Sequence, residues 1–462
     1  STPSANSFFA PRGSLLACLL VTGKMVIDML RFGTDGVRGR VGVDLAESHV
    51  AQLGAAVALA FPGVDILVGH DGRESGETWC NAFGAGAISL RATVALAGVV
   101  PTPAVAHAAK RRNCVGVAIT ASHNPWHDNG VKVFAPGGRK LTDAEQQRIE
   151  HLWHTSAMVT LGDSALPRDS RCIGEYVESL TSGLGAGELD GCSVVIDAAN
   201  GATSVVVTTV AEALGLRADI RYASPNGRNI NDRCGAVHPE AIAALCAERR
   251  QIGIAFDGDG DRLIAVDELG NVVDGDRLIA LMALDLQARG MLARDTVVVT
   301  SMTNLGFHRA MQQHGVKVVT TEVGDRAVLA AMEDGGYVLG GEQSGHIINL
   351  HHATTGDGVL AAVTLLQMVR RAGGSLAEMA GSVMQRMPQL LRNVRVTNKP
   401  ADVEALLGAE LVNERAALGN DGRIVVRTSG TEPVVRIMVE AASSEIAEAT
   451  ADRLERLIVA RA

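Results

Sequence analysis

Between Val64 and Val319 the chain repeats one pattern, a short run of β-branched and other apolar residues followed by an Ala/Leu-rich stretch of helical character. The runs are Asp65–Gly69, Val115–Ile119, Ser193–Ile196, Ile252–Phe256, Thr296–Thr300 and Val316–Val319. Runs that do not alternate with polar residues are buried on both faces, and intervening helices supply the cover. The pattern therefore predicts layered α/β units with parallel strands. Several runs end directly in a Gly-rich or polar turn, and ligands bind at the carboxyl ends of strands in open α/β sheets. Toward the C-terminus the pattern changes to a helix near Ala401–Leu407, strands Arg423–Arg427 and Val434–Glu440, and an amphipathic helix over Ser444–Val459.

Polar stretches at Gly162–Arg171, Asp274–Asp276 and Gln385–Arg392 mark the joints. The expected fold is α/β: three similar α/β domains with mixed, largely parallel sheets over residues 29–168, 169–275 and 276–388, plus a smaller C-terminal α+β domain over 389–462. Residues 1–28 are expected to be an extension, disordered or non-native to these units, with Met25 or Met29 as natural starts. The apolar run Ser14–Val21 follows Arg12 as in a signal peptide, but no small-residue cleavage site comes before Lys24.

Composition narrows the function. At 462 residues the chain is long enough for about three or four domains, each with its own core. Its 42 Lys and Arg against 51 Asp and Glu give a net charge of −9, without the basic excess that a phosphate backbone demands. Eight Phe, three Trp and three Tyr leave little for stacking bases. Neither a nucleic-acid nor a membrane partner is expected, since no apolar stretch reaches the roughly 20 residues that span a bilayer. The seven cysteines are scattered without a C-x-x-C pair and read as free thiols in a reducing, cytoplasmic setting.

Four turns carry candidate chemistry. Thr120–Pro125 follows an apolar strand and puts Ser122 on an exposed loop where a phosphoryl group can reach it; Lys132, just beyond, can supply charge or move a proton. Taken alone, the same residues also make an ordinary turn. Asp257, Asp259 and Asp261 alternate with glycines and can converge on one hard cation. Arg262, where an EF-hand needs glycine, and the flanking strands argue against that motif. In Gly341–His346, Glu342 and Ser344 suit sugar hydroxyls, and His346 can act as acid or base. Glu342 also breaks the G-x-S-x-G pattern of a hydrolase elbow. Arg427–Pro433, followed by Arg436, combines hydroxyls, a glycine and two arginines into a cradle for a phosphate dianion. One such turn per domain describes a central cleft for a phosphosugar.

These four segments, TASHNP, DGDGDR, GEQSGH and RTSGTEP, closely resemble the signatures of the α-D-phosphohexomutase family, and the likeness runs from about Met29 to the C-terminus. Arg31–Gly39, Gly69–Ser75, Val195–Gly201, Asn229–Asn231, Cys234–Gly235, His238–Glu240 and Val323–Arg326 look like further family landmarks. The resemblance implies an enzyme phosphorylated on Ser122, with one Mg²⁺ per active site between that phosphate and Asp257, Asp259 and Asp261. It gives Arg262, Lys132 and Arg38 charge-orienting roles, leaves Lys132 and His346 as acid/base candidates, and makes His123 a support for the serine turn. Glu342 and Ser344 would read hydroxyls, while Arg427, Ser429, Gly430, Thr431 and Arg436 would seat the phosphate that is not reacting. A sugar 6-phosphate and 1-phosphate would interconvert through a 1,6-bisphosphate that turns end for end, and the C-terminal domain would act as a lid hinged near Gln385–Arg392. Within the family, Gln343 and the opening GTDGVRG resemble the branch that acts on glucosamine phosphates and feeds cell-wall precursor synthesis. Mannose or glucose phosphate is the alternative substrate, and a phosphatase or a non-catalytic sugar-phosphate sensor the remoter readings. Intact Ser122 and three aspartates argue against a sensor. A homodimer is compatible with all of this.

Overall fold

The computed structural model describes residues 31–33, 35–155, 165–182, 187–429 and 433–462; the expected extension over 1–28, Gly430 and Thr431 lie outside the described residues. The first of four sheets holds β1 (Val37–Arg40), β2 (Ile66–His70), β3 (Val94–Val99), β4 (Val115–Ile119), β5 (Asp128–Ala135) and β6 (Arg139–Lys140). A second holds β7 (Ser193–Asp197), β8 (Arg217–Arg221), β9 (Ile252–Phe256), β10 (Leu263–Val266) and β11 (Val272–Val273). The third consists of β12 (Thr296–Thr300), β13 (Lys317–Thr321), β14 (Leu339–Gly341) and β15 (Ile347–Asn349).

The three sheets share one wiring. The strand orders β3-β2-β4-β5, β8-β7-β9-β10 and β13-β12-β14-β15 are the same path, three parallel strands and then an antiparallel partner for the third. Two helices make the parallel crossovers in each unit: Gly76–Ser89 with Thr102–Arg112, Val207–Ala213 with Glu240–Arg249, and Leu305–Gln313 with Asp325–Gly335. Strands β2, β4, β9 and β12 are buried along their whole length, which is why they read as unbroken apolar runs.

This wiring puts the chemistry in equivalent places. The hairpin that reverses the third parallel strand is residues 120–127 in the first unit, 257–262 in the second and 342–346 in the third. Three of the four turns picked out in the sequence thus occupy one structural position, repeated.

The C-terminal unit differs. Its strands β16 (Gln389–Arg395), β17 (Arg423–Thr428) and β18 (Val434–Glu440) form an antiparallel sheet in the order β16-β18-β17. Val394, Leu407, Ile437, Leu454 and Ile458 belong to a core of its own. No described helix is long and apolar enough to cross a membrane.

Candidate active site

The serine turn is not the exposed loop that its sequence suggested. Ser122 is fully buried, because the turn folds under Arg73 and against the aspartate hairpin. Its backbone sits at φ +53°, a left-handed conformation that costs a side-chain-bearing residue about 1–2 kcal/mol and persists only where neighbours impose it. They do so here. Thr120 Oγ1 accepts from Ser122 N at 2.8 Å, and Ser122 O accepts from Arg73 Nη2 at 2.8 Å and from Asn231 Nδ2 at 2.9 Å. The same guanidinium reaches the carbonyls of Asn124, Pro125 and Asp128 and is itself paired with buried Asp71 at 2.8 Å. Five donors in a rigid fork suit Arg to gathering several carbonyls at once, which a lysine cannot do.

The held hydroxyl points at the second hairpin. Ser122 Oγ donates to Asp257 Oδ2 at 2.5 Å. Asp257, Asp259 and Asp261 are all buried, and their carboxylate oxygens lie within 4.8 Å of one another. Glycine lets the chain approach this closely, since a Cβ at Gly258 would lie 2.6 Å from Ser122 O. Burial, then the charges of Asp261 and Asp259, push Asp257 well above the usual carboxylate range. Asp259 Oδ2 takes hydrogen bonds from Thr102 Oγ1 at 2.6 Å and from Lys132 Nζ at 2.9 Å.

Lys132, on β5, is the counter-charge. Its Nζ lies 2.9 Å from Asp259, 2.6 Å from Asp261 and 2.7 Å from Asp35. Burial alone would lower this amine's pKa, but the three carboxylates outweigh it and raise the pKa, so in this state Lys132 is a fixed cation. From Asp35 the chain of charges runs through Lys140 to Asp325, then to His346 Nε2 at 3.6 Å, and from His346 Nδ1 back to Asp261 at 3.6 Å. The closed ring alternates carboxylates with Lys132, Lys140 and the His346 ring, and joins side chains from three hairpin units. His346 Nε2 also accepts from Gly356 N at 3.2 Å, which leaves Nδ1 to carry the proton toward Asp261. His123, 3.5 Å from Ser122 Oγ, is pushed down to about 4 by burial and the nearby Arg262 and Arg38, and is neutral near pH 7.

Buried atoms that make no hydrogen bond, though Arg262 Nε and Asp261 Oδ1 face each other at 3.7 Å, show what this arrangement can receive. Asp259 Oδ1 and Asp261 Oδ1 are orphan acceptors, while Arg38 Nε and Arg262 Nε are orphan donors. Three convergent carboxylates with two unspent acceptors fit a hard divalent cation. Two guanidinium donors beside them fit oxygens of a phosphate. The donor set is therefore consistent with the expected magnesium.

On the third hairpin Gly345, at φ +90°, lets the turn press against β10, and Leu263 N donates to Gly345 O at 3.0 Å. Glu342 is half-buried, with Oε1 accepting from Gly324 N at 3.1 Å, and Ser344 is exposed. Gln343 turns to Asp276 and Gln389 instead. On the C-terminal sheet Arg427 and Arg436 face each other across β17 and β18, and burial together with Arg436 lowers the pKa of Arg427. Both line a cavity of about 300 Å³ with Met302, Asn393 and Met438. Ser429 is buried at the end of this strand pair.

Sequence reasoning gave no role to Asp35, Arg73, Thr102, Lys140, Asn231 or Asp325. Four of these lie in segments that were noticed as landmarks, so position was legible but purpose was not. Thr102 and Lys140 left no local signal.

Three structurally equivalent hairpins bring a serine, an aspartate triad and a Glu-Gln-Ser turn together beside a separate arginine-bearing domain, the arrangement of a phosphohexomutase. All four parts of the phosphoglucomutase/phosphomannomutase family match in order: alpha/beta/alpha domain I at residues 29–159, domain II at 174–270, domain III at 274–387 and the C-terminal domain at 391–457. The chain belongs to this family. A phosphoglucosamine mutase from Saccharopolyspora erythraea is 44% identical over 444 residues, covering 93% of this chain and 99% of the relative. Phosphoglucosamine mutases from Kineococcus radiotolerans and Bacillus subtilis are 46% and 41% identical, each covering 92% of this chain and 98% of the relative. Among solved structures, a phosphoglucomutase/phosphomannomutase family protein from Burkholderia thailandensis shares the fold with a TM-score of 0.76 at 23% identity, over 94% of this chain and 97% of that one. Aspergillus fumigatus N-acetylphosphoglucosamine mutase, solved with GlcNAc-6P and magnesium, shares it with a TM-score of 0.65 at 19% identity, over 95% and 99%.

Proposed function

We propose that this chain is a phosphoglucosamine mutase, interconverting glucosamine 6-phosphate and glucosamine 1-phosphate through a phosphoserine at Ser122. The observation that carries the reading is the Ser122 hydroxyl, buried and hydrogen-bonded at 2.5 Å to an aspartate triad that is itself faced by Lys132. The substrate is taken from the curated relatives of 41–46% identity.

The chain's own residues divide the work. Arg73, Asn231 and Thr120 hold the serine turn so that transfer begins from a fixed position rather than from a mobile loop. Arg262 and Arg38 offer donors where charge develops on the transferring group, and Lys132 is held beside them as a preorganised cation. Asp257, Asp259 and Asp261 would hold Mg²⁺, which supplies charge neutralisation for phosphoryl oxygens. Lys132 and His346 are the two acid/base candidates for the accepting sugar hydroxyl: Lys132 is locked among three carboxylates, and His346 has Nε2 engaged by Gly356 N and Nδ1 facing Asp261. Glu342 and Ser344 read hydroxyls, while Arg427, Ser429, Gly430, Thr431 and Arg436 seat the resting phosphate.

The test is a coupled assay of purified enzyme with glucosamine, mannose and glucose 1-phosphates, alongside intact mass of the resting protein. A preference for the glucosamine ester and one phosphate mapping to Ser122 are expected. Equal turnover of all three would move the chain to the mannose/glucose branch. Phosphate released into water without sugar 1-phosphate would make it a phosphatase.

A further inference from the structure

Gln343, the position that marks the glucosamine branch, has its amide engaged away from the other sugar-reading side chains. Its Nε2 donates to Asp276 Oδ2 at 3.0 Å and lies 3.4 Å from Gln389 Oε1 on β16. Asp276 is fully buried near the start of the helix Gly275–Ala288, and that helix end is packed onto the same turn. Gly275 N donates to Gln343 O at 3.0 Å, and a Cβ at Gly275 would lie 2.2 Å from Glu342 O.

The same oxygen, Asp276 Oδ2, accepts from Asn304 N at 2.8 Å. Asn304 then grips the chain just before β16 by both backbone groups of one residue: its Oδ1 accepts from Met387 N at 2.9 Å, and its Nδ2 donates to Met387 O at 3.0 Å. The next residue, Leu305, donates its N–H to Glu440 at the end of β18, at 3.1 Å. Glu440, fully buried, also accepts from Gln389 Nε2 at 3.0 Å and from Arg423 Nε at 2.5 Å. Gln389, Glu440 and Arg423 form one cross-strand row, and Asn393, Arg436 and Arg427 form another on the same face, four residues along each strand. The attached row and the arginine row are therefore about 13 Å apart on one stiff sheet.

We propose that Asp276 is a positioning residue: through Gln343 on one side and Asn304 on the other, it couples the turn that reads the sugar to the strand ends that aim the arginine row. Sugar held at the turn and phosphate held at the arginines are then kept in one alignment across the reorientation of the bisphosphate. The inference rests on the mutase reading, and Gln343 acts in it by hydrogen bonding within the protein rather than by choosing the sugar.

The test uses the full chain as Gln343→Leu, Asp276→Asn and the double variant, with amide exchange measured first and without any ligand. Exchange at Asn304, Leu305 and Met387 is expected to quicken about tenfold in each single variant and no further in the double, because the two residues belong to one connected unit. In turnover with glucosamine 6-phosphate, first-phosphate transfer from Ser122 should stay within about twofold of the parent while release of free bisphosphate rises about tenfold, at an unchanged preference for glucosamine over glucose phosphate. Gln343 sits on a half-buried turn, so Gln343→Leu folds even if Asp276→Asn does not, and the exchange readout then stands on it alone. Unchanged exchange, additive variants, or a shift in sugar preference with unchanged bisphosphate release would each overturn the proposal. Failure of the unsubstituted enzyme to interconvert the glucosamine phosphates would overturn the mutase reading, while the exchange result still decides the coupling.

Discussion

Arg73 shows how far the conformation of one turn is set by a single buried side chain. Ser122 is held in a left-handed conformation by carbonyl contacts that converge on a single guanidinium. Arg73→Lys keeps the charge next to Asp71 but loses the fork, so phosphorylation of Ser122 and kcat should fall at least tenfold while the chain stays folded. The check is stoichiometric phosphorylation by intact mass beside a steady-state assay; full phosphorylation at parental kcat would show that the turn holds itself. Ser122→Ala should abolish mutase activity. Because Ser122 is buried and donates to Asp257, the alanine variant should also shift stability by about 1 kcal/mol, measured as the thermal midpoint. An alanine variant within tenfold of parental activity would sink the covalent route.

The elements that were legible in sequence are those whose burial is symmetric. Runs at 115–119, 252–256, 263–266 and 296–300 coincide with strands, because both faces of each are covered and no charged position interrupts the run. β1, with the sequence VRGR, and β5, which opens Asp128-Asn-Gly, were not read as strands, because charged and polar residues such as Arg38 and Lys132 break their apolar pattern. The four signature turns were found, but not that three of them are hairpins reversing the same strand, since strand pairing leaves no trace in a local pattern. Ser122 was placed on an exposed loop because Asn and Pro are surface residues on average, whereas here Arg73 satisfies the turn's carbonyls and lets it be buried. One helix, Asp143–Thr155, went unread although its start carries a capping signal. Thr142 and Glu145 form a capping box at the helix Asp143–Thr155: Glu145 accepts from Thr142 N at 2.8 Å, Thr142 Oγ1 accepts from Glu145 N at 3.3 Å, and Arg139 adds two bonds at 2.7 Å. Arg139 first, then the Thr142 bonds, overcome partial burial and hold Glu145 at about 2 against an ordinary 4.5. A depressed carboxylate stabilises the fold above its unfolded pKa and ceases to do so as pH falls through 4.5 toward 2. After discounting for solvent screening, Glu145→Gln should cost about 1 kcal/mol at pH 7 and nothing near pH 2, read from denaturant unfolding at the two pH values. Equal cost at both would assign the effect to the cap's shape rather than to its charge.

At the scale of the whole molecule, the aspartate triad is a point where separate units lean on one another. Lys132 and Thr102 come to it from the first sheet's unit, His346 from the third, and Asp257 to Asp261 belong to the second. Burying three carboxylates together is unfavourable, and a bound divalent cation should relieve it in the folded state alone. Mg²⁺ is therefore expected to raise the thermal midpoint by a few degrees at concentrations well above its dissociation constant, and Asp259→Asn to weaken that response. Excess chelator should stop turnover, with Mg²⁺ restoring it better than Ca²⁺ because a compact site of few carboxylates suits the smaller ion. Full activity in excess chelator would remove the metal from the account.

The shared wiring of the three sheets has a historical meaning. A strand order kept through three successive units, with the same two crossovers and the same reversing hairpin, is what tandem copying of one ancestral module leaves behind. In each unit the parallel strands and their crossover helices build the scaffold, and the reversing hairpin is the segment whose residues differ most in chemistry from one unit to the next. One hairpin carries Ser122, one the three aspartates and one Glu342, Ser344 and His346. Transplanting a hairpin between copies should accordingly leave the recipient sheet intact while moving the chemistry, which makes the module, rather than the domain, the unit in which this enzyme could be rebuilt.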